Sequence, residues 1–172
     1  TGRRFELKGQ VHGIRVVDDY GHHPTEIQVT LETARRYATD GRLLVIFQPH
    51  RYSRTRAFTP QFARALDHAD HAWILEVYAS SEKPIPGVSG LSIAKLMKAG
   101  TFEPHFISTI SAVVEEAHPG DVILTLVAGD VRSLGPLIVE ALSYKYPHNP
   151  FREVHTHKHG HTALFLPYPI LL

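Results

Sequence analysis

The sequence predicts an α/β fold in which a mostly parallel sheet is covered by helices on both faces and is opened by an N-terminal β-hairpin. Three observations predict it. The run 43–47 (LLVIF) is continuously apolar, as a strand buried on both faces is, and the mainly apolar runs 72–77 (AWILEV) and 122–127 (VILTLV) read as further strands. The segments between them carry apolar residues at helical spacing. Strand and helix then alternate along the chain, the rhythm of crossover-connected parallel strands.

In chain order, residues 4–9 and 11–18 read as two strands turning around Gly9 to Gly13. Tyr20-Gly21-His22-His23-Pro24 is a break. A helix over 25–37 follows, with Ile27, Leu31 and Ala34 on one side and Thr25 as its expected cap. After LLVIF, residues 58–69 are helical in pattern, with Phe58, Phe62, Ala65 and Leu66 on one side. A helix over 91–98, a strand over 105–107 and a helix over 111–117 lead to VILTLV, and 131–144 is the last helix. From Tyr146 on the chain is rich in Pro and His and follows neither period, so residues 1–145 are expected to form the domain and 146–172 an irregular tail. His155, His157, His159 and His161 alternate, so an extended segment would gather them on one face as an adventitious metal trap.

At 172 residues and 43% hydrophobic composition the chain suits one domain with one core. A net charge of +1 gives no reason to expect nucleic acid or a membrane surface as a partner. Having no cysteine excludes disulfides, thiolate metal sites and cysteine nucleophiles, and suits a cytoplasmic chain. No apolar run is long enough to span a bilayer. The start at Thr1 without Met is what a fragment, a processed chain or a trimmed one would show.

Right-handed crossovers bring the loops after Phe47, Val77 and Val127 to the C-terminal edge of the sheet, where open α/β sheets bind ligands. The first polar loop, Asp18 to Glu26, offers a carboxylate, imidazoles and a helix start, suited to ribose hydroxyls, a metal or a phosphate, or simply to an Asx-type turn. The second, Gln48 to Arg56, puts His50, Arg51, Arg54 and Arg56 directly after a buried strand; guanidinium forks fit carboxylates and phosphates. The third, Tyr78 to Ser89, is stiffened by Pro, and Gly129-Asp130 closes the edge.

Together DDYGHHPTE, FQPHRYSRT, YASSEKPIPGVSG and LTLVAGD, in this order and spacing, resemble the Mur ligase family from about Gly2 to about Ala141, and most of all the member that joins L-alanine to UDP-N-acetylmuramate. The resemblance implies a Rossmann-like C-terminal domain whose N-terminal and central companions grip the UDP-sugar and hold ATP and Mg²⁺. The implied reaction is ATP-driven amide formation through an acyl phosphate, a step of peptidoglycan precursor synthesis. No G-x-x-x-x-G-K-[ST] loop occurs here, so the chain alone is expected to be inactive. By position in the family motifs, Arg4 would meet the ATP phosphates and Asp19 the ribose, with Tyr20 in the same nucleotide-binding group. His22 would stand near the transferred phosphate, with His23 beside it. His50, Arg51 and Arg54 would hold the alanine carboxylate and the growing anionic centre, with His22, His50 and Arg51 as the catalytic set. Val127 departs from the glycine common in relatives, which leaves Asp130 without a secure role.

Two other readings are open on the residues alone. A stand-alone nucleotide- or anion-binding module would use the same site. A metal-dependent phosphoesterase would use Asp18, Asp19, His22 and His23 as ligands, although the arginines after Phe47 would repel a second cation.

Overall fold

The computed structural model describes residues 5–38, 40–127, 134–147, 153–155 and 162–164. Strands β1 (Glu6–Val11) and β2 (Ile14–Asp19) form the opening hairpin, and helix α1 (Pro24–Tyr37) leads to β3 (Leu43–Phe47). Then come α2 (Tyr52–Leu66), β4 (His71–Ile74), α3 (Gly90–Ala94), β5 (Gly100–Phe102), α4 (Phe106–Glu116), β6 (Val122–Leu126) and α5 (Leu134–Lys145). The sheet runs β1-β2-β6-β3-β4-β5, parallel except for β1.

Strand side chains alternate between faces, and the core divides accordingly. Val17, Val45, Phe47, Leu124 and Ile74 pack with Ile27 and Leu31 of α1 and Phe62 of α2 on one face. Val16, Leu44, Ile46, Trp73 and Ile123 pack with Val113 of α4 and Ile138 of α5 on the other. All five residues of β3 and of β6 are buried; the sequence of β3 is wholly apolar, and the one polar residue of β6, Thr125, hydrogen-bonds Asp18. Each fully buried Leu or Ile contributes roughly 1.5–3 kcal/mol of transfer free energy. The order places β6 between β2 and β3; α1 and α2, which follow β2 and β3, pack on one face, while α5, which follows β6, packs on the other, so the connections switch faces at β6 and open a crevice at its C-terminal end.

Several local expectations are corrected. His23, not Thr25, caps α1: its Nδ1 accepts from the Thr25 backbone N–H at 3.2 Å, while Glu26 accepts from the His23 N–H at 3.2 Å and Pro24 fills the first turn. Helix α2 begins at Tyr52 instead of residue 58, and kinks at Phe58 (φ −124°, ψ 18°) because Pro60 cannot continue the hydrogen-bond ladder. The strand expected over 105–107 lies earlier, at β5, and Phe106 and Ile107 open α4 instead. Helix α3 is shorter than expected. In the segment read as irregular, β7 (Glu153–His155) and β8 (Thr162–Leu164) pair antiparallel. His157, His159 and His161 lie outside the described residues. No helix among the described residues is long and apolar enough to cross a membrane.

Candidate functional site

The loop after β2 and the loop after β3 meet above β6. The rings of His22 and His50 stack with centroids 5.4 Å apart, and His50 stacks in turn on Tyr78, 5.5 Å away and tilted by 10°. Backbone bonds hold this layer: the Arg51 N–H donates to the Tyr78 carbonyl at 2.7 Å, and the Tyr78 N–H to the Pro49 carbonyl at 2.8 Å. His50 Nδ1 is buried, with no hydrogen-bond partner among the described residues. Buried polar atoms are nearly always hydrogen-bonded, so an orphaned one is costly.

Arg51 and Arg54 flank the pair at the start of α2. Burial lowers the pKa of His22 below the usual imidazole value, and the Arg54 charge lowers it further, against the smaller raising effects of Glu26 and Asp19. Burial likewise lowers His50, followed by the charges of His22, Arg54 and Arg51. Both rings are therefore neutral at pH 7, held beside two permanent guanidinium charges. A helix N-terminus favours anions, yet the first turn of α2 has no acidic residue and follows directly on Arg51. Arg51 itself adopts a left-handed backbone (φ 70°, ψ 138°), unusual for a side chain with a Cβ.

Asp19 lies in the floor of the crevice, 3% exposed. Its Oδ2 accepts from the Phe5 N–H and its Oδ1 from the Gly21 N–H, each at 2.8 Å. This is the Asx-type turn the sequence allowed, and it leaves the carboxylate further lone pairs. Beside it opens a cleft of 310 Å³, lined by Phe5, Asp19, Thr25, Glu26, Val29 and Thr30 among others. An aromatic face, hydroxyls and carboxylates in one slot suit a base joined to a sugar.

Of the residues singled out from sequence, the fold thus brings His22, His50, Arg51 and Arg54 together. Asp19 sits below them. Tyr20 is half-buried, with Lys8 in its electrostatic reach. His23 is spent on capping α1 and on an edge contact with Phe58. Arg4 and Asp130 lie outside the described residues. Sequence reasoning placed Tyr78 and Glu82 in the third loop at this edge but gave Tyr78 no role and read Glu82 as a residue that could face solvent. Among the described residues no three His, Asp or Glu side chains converge as metal ligands, so the phosphoesterase reading finds no ligand set.

The chain is similar in sequence and in fold to known proteins. The family model described as "Mur ligase, glutamate ligase domain" matches residues 3–129. UDP-N-acetylmuramate–L-alanine ligase of Mycobacterium ulcerans is 51% identical over 147 residues, covering 81% of this chain and 30% of that protein. The crystal structure of UDP-N-acetylmuramate-alanine ligase from Thermotoga maritima matches with a TM-score of 0.61 and 28% identity, covering 84% of this chain and 30% of that one. A crystallised domain from a Haemophilus ducreyi protein, assigned as a UDP-N-acetylmuramate:L-alanyl-γ-D-glutamyl-diaminopimelate ligase, matches with a TM-score of 0.57 and 26% identity, covering 83% of this chain and 98% of that one. The chain spans about 30% of the length of the curated relatives it matches. With the family model covering most of its length, the chain belongs to the Mur ligase family, as a glutamate ligase domain.

Proposed function

We propose that this chain is the C-terminal domain of an ATP-dependent UDP-N-acetylmuramate–L-alanine ligase, serving peptidoglycan precursor synthesis, cell shape and cell division in the cytoplasm. The observation that carries the reading is the His22–His50 pair with its buried, unpartnered Nδ1, flanked by Arg51 and Arg54 at the carboxyl edge of a parallel sheet. The named relatives at about half identity support the substrate assignment.

In this reading the domain gathers anions. Arg51 and Arg54 hold the alanine carboxylate and the charge that grows as the γ-phosphoryl group leaves ATP; guanidinium forks suit both. In this reading His22 and His50 are neutral when free, and a bound anion raises their affinity for a proton. The cleft beside Asp19 accepts the nucleoside, with the Asp19 carboxylate on the ribose and Tyr20 and Arg4 assigned to the same ligand. Mg²⁺ is usually bound through one or two carboxylates plus the phosphates it bridges, and in this reading the ATP-bound ion is held mainly by the phosphates and by groups on the central domain. Those N-terminal and central domains carry the UDP-sugar and the phosphate loop. Closing this domain onto them excludes water from the acyl phosphate.

The test is phosphate release from UDP-N-acetylmuramate, L-alanine, ATP and Mg²⁺, beside a direct binding measurement. The 172-residue chain should bind ATP weakly and show no sustained turnover. Turnover by this chain alone, or no binding of any anion at the imidazole pair, would contradict the proposal.

A further inference from the structure

The first turn of α2 gathers positive charge and has no acid of its own, and its N-cap residue, Arg51, makes no side-chain capping bond. The missing cap arrives from elsewhere in the chain. The Glu82 carboxylate accepts the Ser53 backbone N–H at 3.1 Å and, on its other oxygen, the Ser53 hydroxyl. Two consecutive left-handed residues, Ser80 (φ 48°) and Ser81 (φ 72°), turn the loop so that Glu82 reaches this point, and the Glu82 N–H closes the turn on the Ala79 carbonyl at 3.0 Å. Side chains with a Cβ rarely adopt that backbone, and such geometry concentrates where it serves a site. Tyr78, four residues before Glu82, is the residue that stacks on His50. One short loop therefore supplies both the platform under the imidazole and the cap of the helix that carries the arginines.

We propose that Glu82 is a positioning residue for anion binding: by capping α2 from the third loop, it fixes Arg51 and Arg54 against the His22–His50 pair. The inference rests on the proposed function of that pair. It has a sign that a bystander carboxylate would reverse. A negative charge near an anion site weakens binding by repulsion, so deleting a bystander Glu82 would tighten binding. Deleting a cap that aims two guanidinium groups loosens it.

The experiment measures pyrophosphate binding to the 172-residue chain by calorimetry at constant pH and ionic strength, with folding checked by circular dichroism. Glu82→Ala should weaken binding about tenfold, the order expected when one charge-assisted hydrogen bond is lost. Glu82→Gln keeps an acceptor for Ser53 and should stay within about threefold of the original chain, since neutral acceptors retain part of the bond. Unchanged or tighter binding by Glu82→Ala overturns the inference. If Glu82→Ala fails to fold, Glu82→Asp, which keeps the charge but draws the carboxylate back from Ser53 by one methylene, carries the same comparison: weaker binding supports the cap, unchanged binding overturns it. Arg54→Ala run alongside separates the two levels, because undiminished binding there removes the site itself, whatever Glu82 does.

Discussion

The rings of His22 and His50 stack at 5.4 Å although they leave the sheet on β2 and β3, two strands separated by β6. That contact closes the crevice from both sides and sets two imidazoles against two arginines. Its consequences are measurable.

The first concerns pH. Both imidazoles have pKa values below the ordinary 6.5, from burial first and neighbouring positive charge second. As pH falls through 6.5 the unfolded chain takes up these protons before the folded one. The stability they confer is thus full above 6.5 and is lost on acidification until the lowered folded values are passed. The midpoint of thermal unfolding should fall between pH 7.5 and 5.5, and His22→Asn should flatten that fall. Sulfate, which does not titrate in this range, should bind more tightly as pH drops and take up protons as it binds. Calorimetry in buffers of different ionisation enthalpy reads that uptake directly.

The second concerns Arg51, whose φ of 70° suits glycine. Arg51→Ala and Arg51→Gly should each lose anion binding, by about tenfold or more for one charge-assisted contact. Arg51→Gly should be the more stable of the two by about 1 kcal/mol, because glycine relieves the left-handed backbone. Both should fold. An unfolded Arg51→Gly protein would make the side chain structural and remove it from the site.

The third concerns the third loop. A Cβ on Gly90 would come within 2.1 Å of the Leu75 carbonyl, an atom of the backbone that cannot step aside alone. The Gly90 N–H also donates to Glu76, which in turn braces Val77. Gly90→Ala should cost about 2–4 kcal/mol in chemical denaturation. A cost near zero would mean the loop is not braced there.

The fourth concerns Asp18. It is 2% exposed, receives a hydrogen bond from Thr125, and packs where a Cβ on residue 135 would collide with it. Burial raises its pKa, against the lowering effects of Thr125 and Lys8. A raised acid disfavours the folded state above its folded pKa, so Asp18→Asn should raise the unfolding temperature at pH 7.5 and lose that advantage in acid. A lower temperature at pH 7.5 would show that the charge itself holds α5.

Much of this architecture could be read from residues alone. LLVIF matches β3 end for end, and Ile27, Leu31 and Ala34 are fully buried on α1 as their spacing required. The His50-Arg51 cluster follows that strand directly, so its place at the sheet edge was legible too. The misreadings have physical causes. Strand β5 is a three-residue edge strand, Gly100–Phe102, with no apolar run to announce it, while the apolar Phe106-Ile107 pair starts a helix. Pro60 disguised the true beginning of α2, whose kink tolerates it. His22 and His23 are neighbours in sequence, and only the capping geometry separates the stacked one from the structural one. Glu82 is 29 residues from Ser53, a distance no local pattern spans.

The most direct test of the cationic site is a residue-resolved amide NMR titration of the chain with pyrophosphate. The account predicts concerted shifts in Gly21 to His23, in His50 to Arg54 and in Tyr78 to Glu82, with Arg42 and Asp121 at the opposite edge of the sheet unmoved. Shifts confined to that opposite edge, or none at saturating ligand, would contradict it.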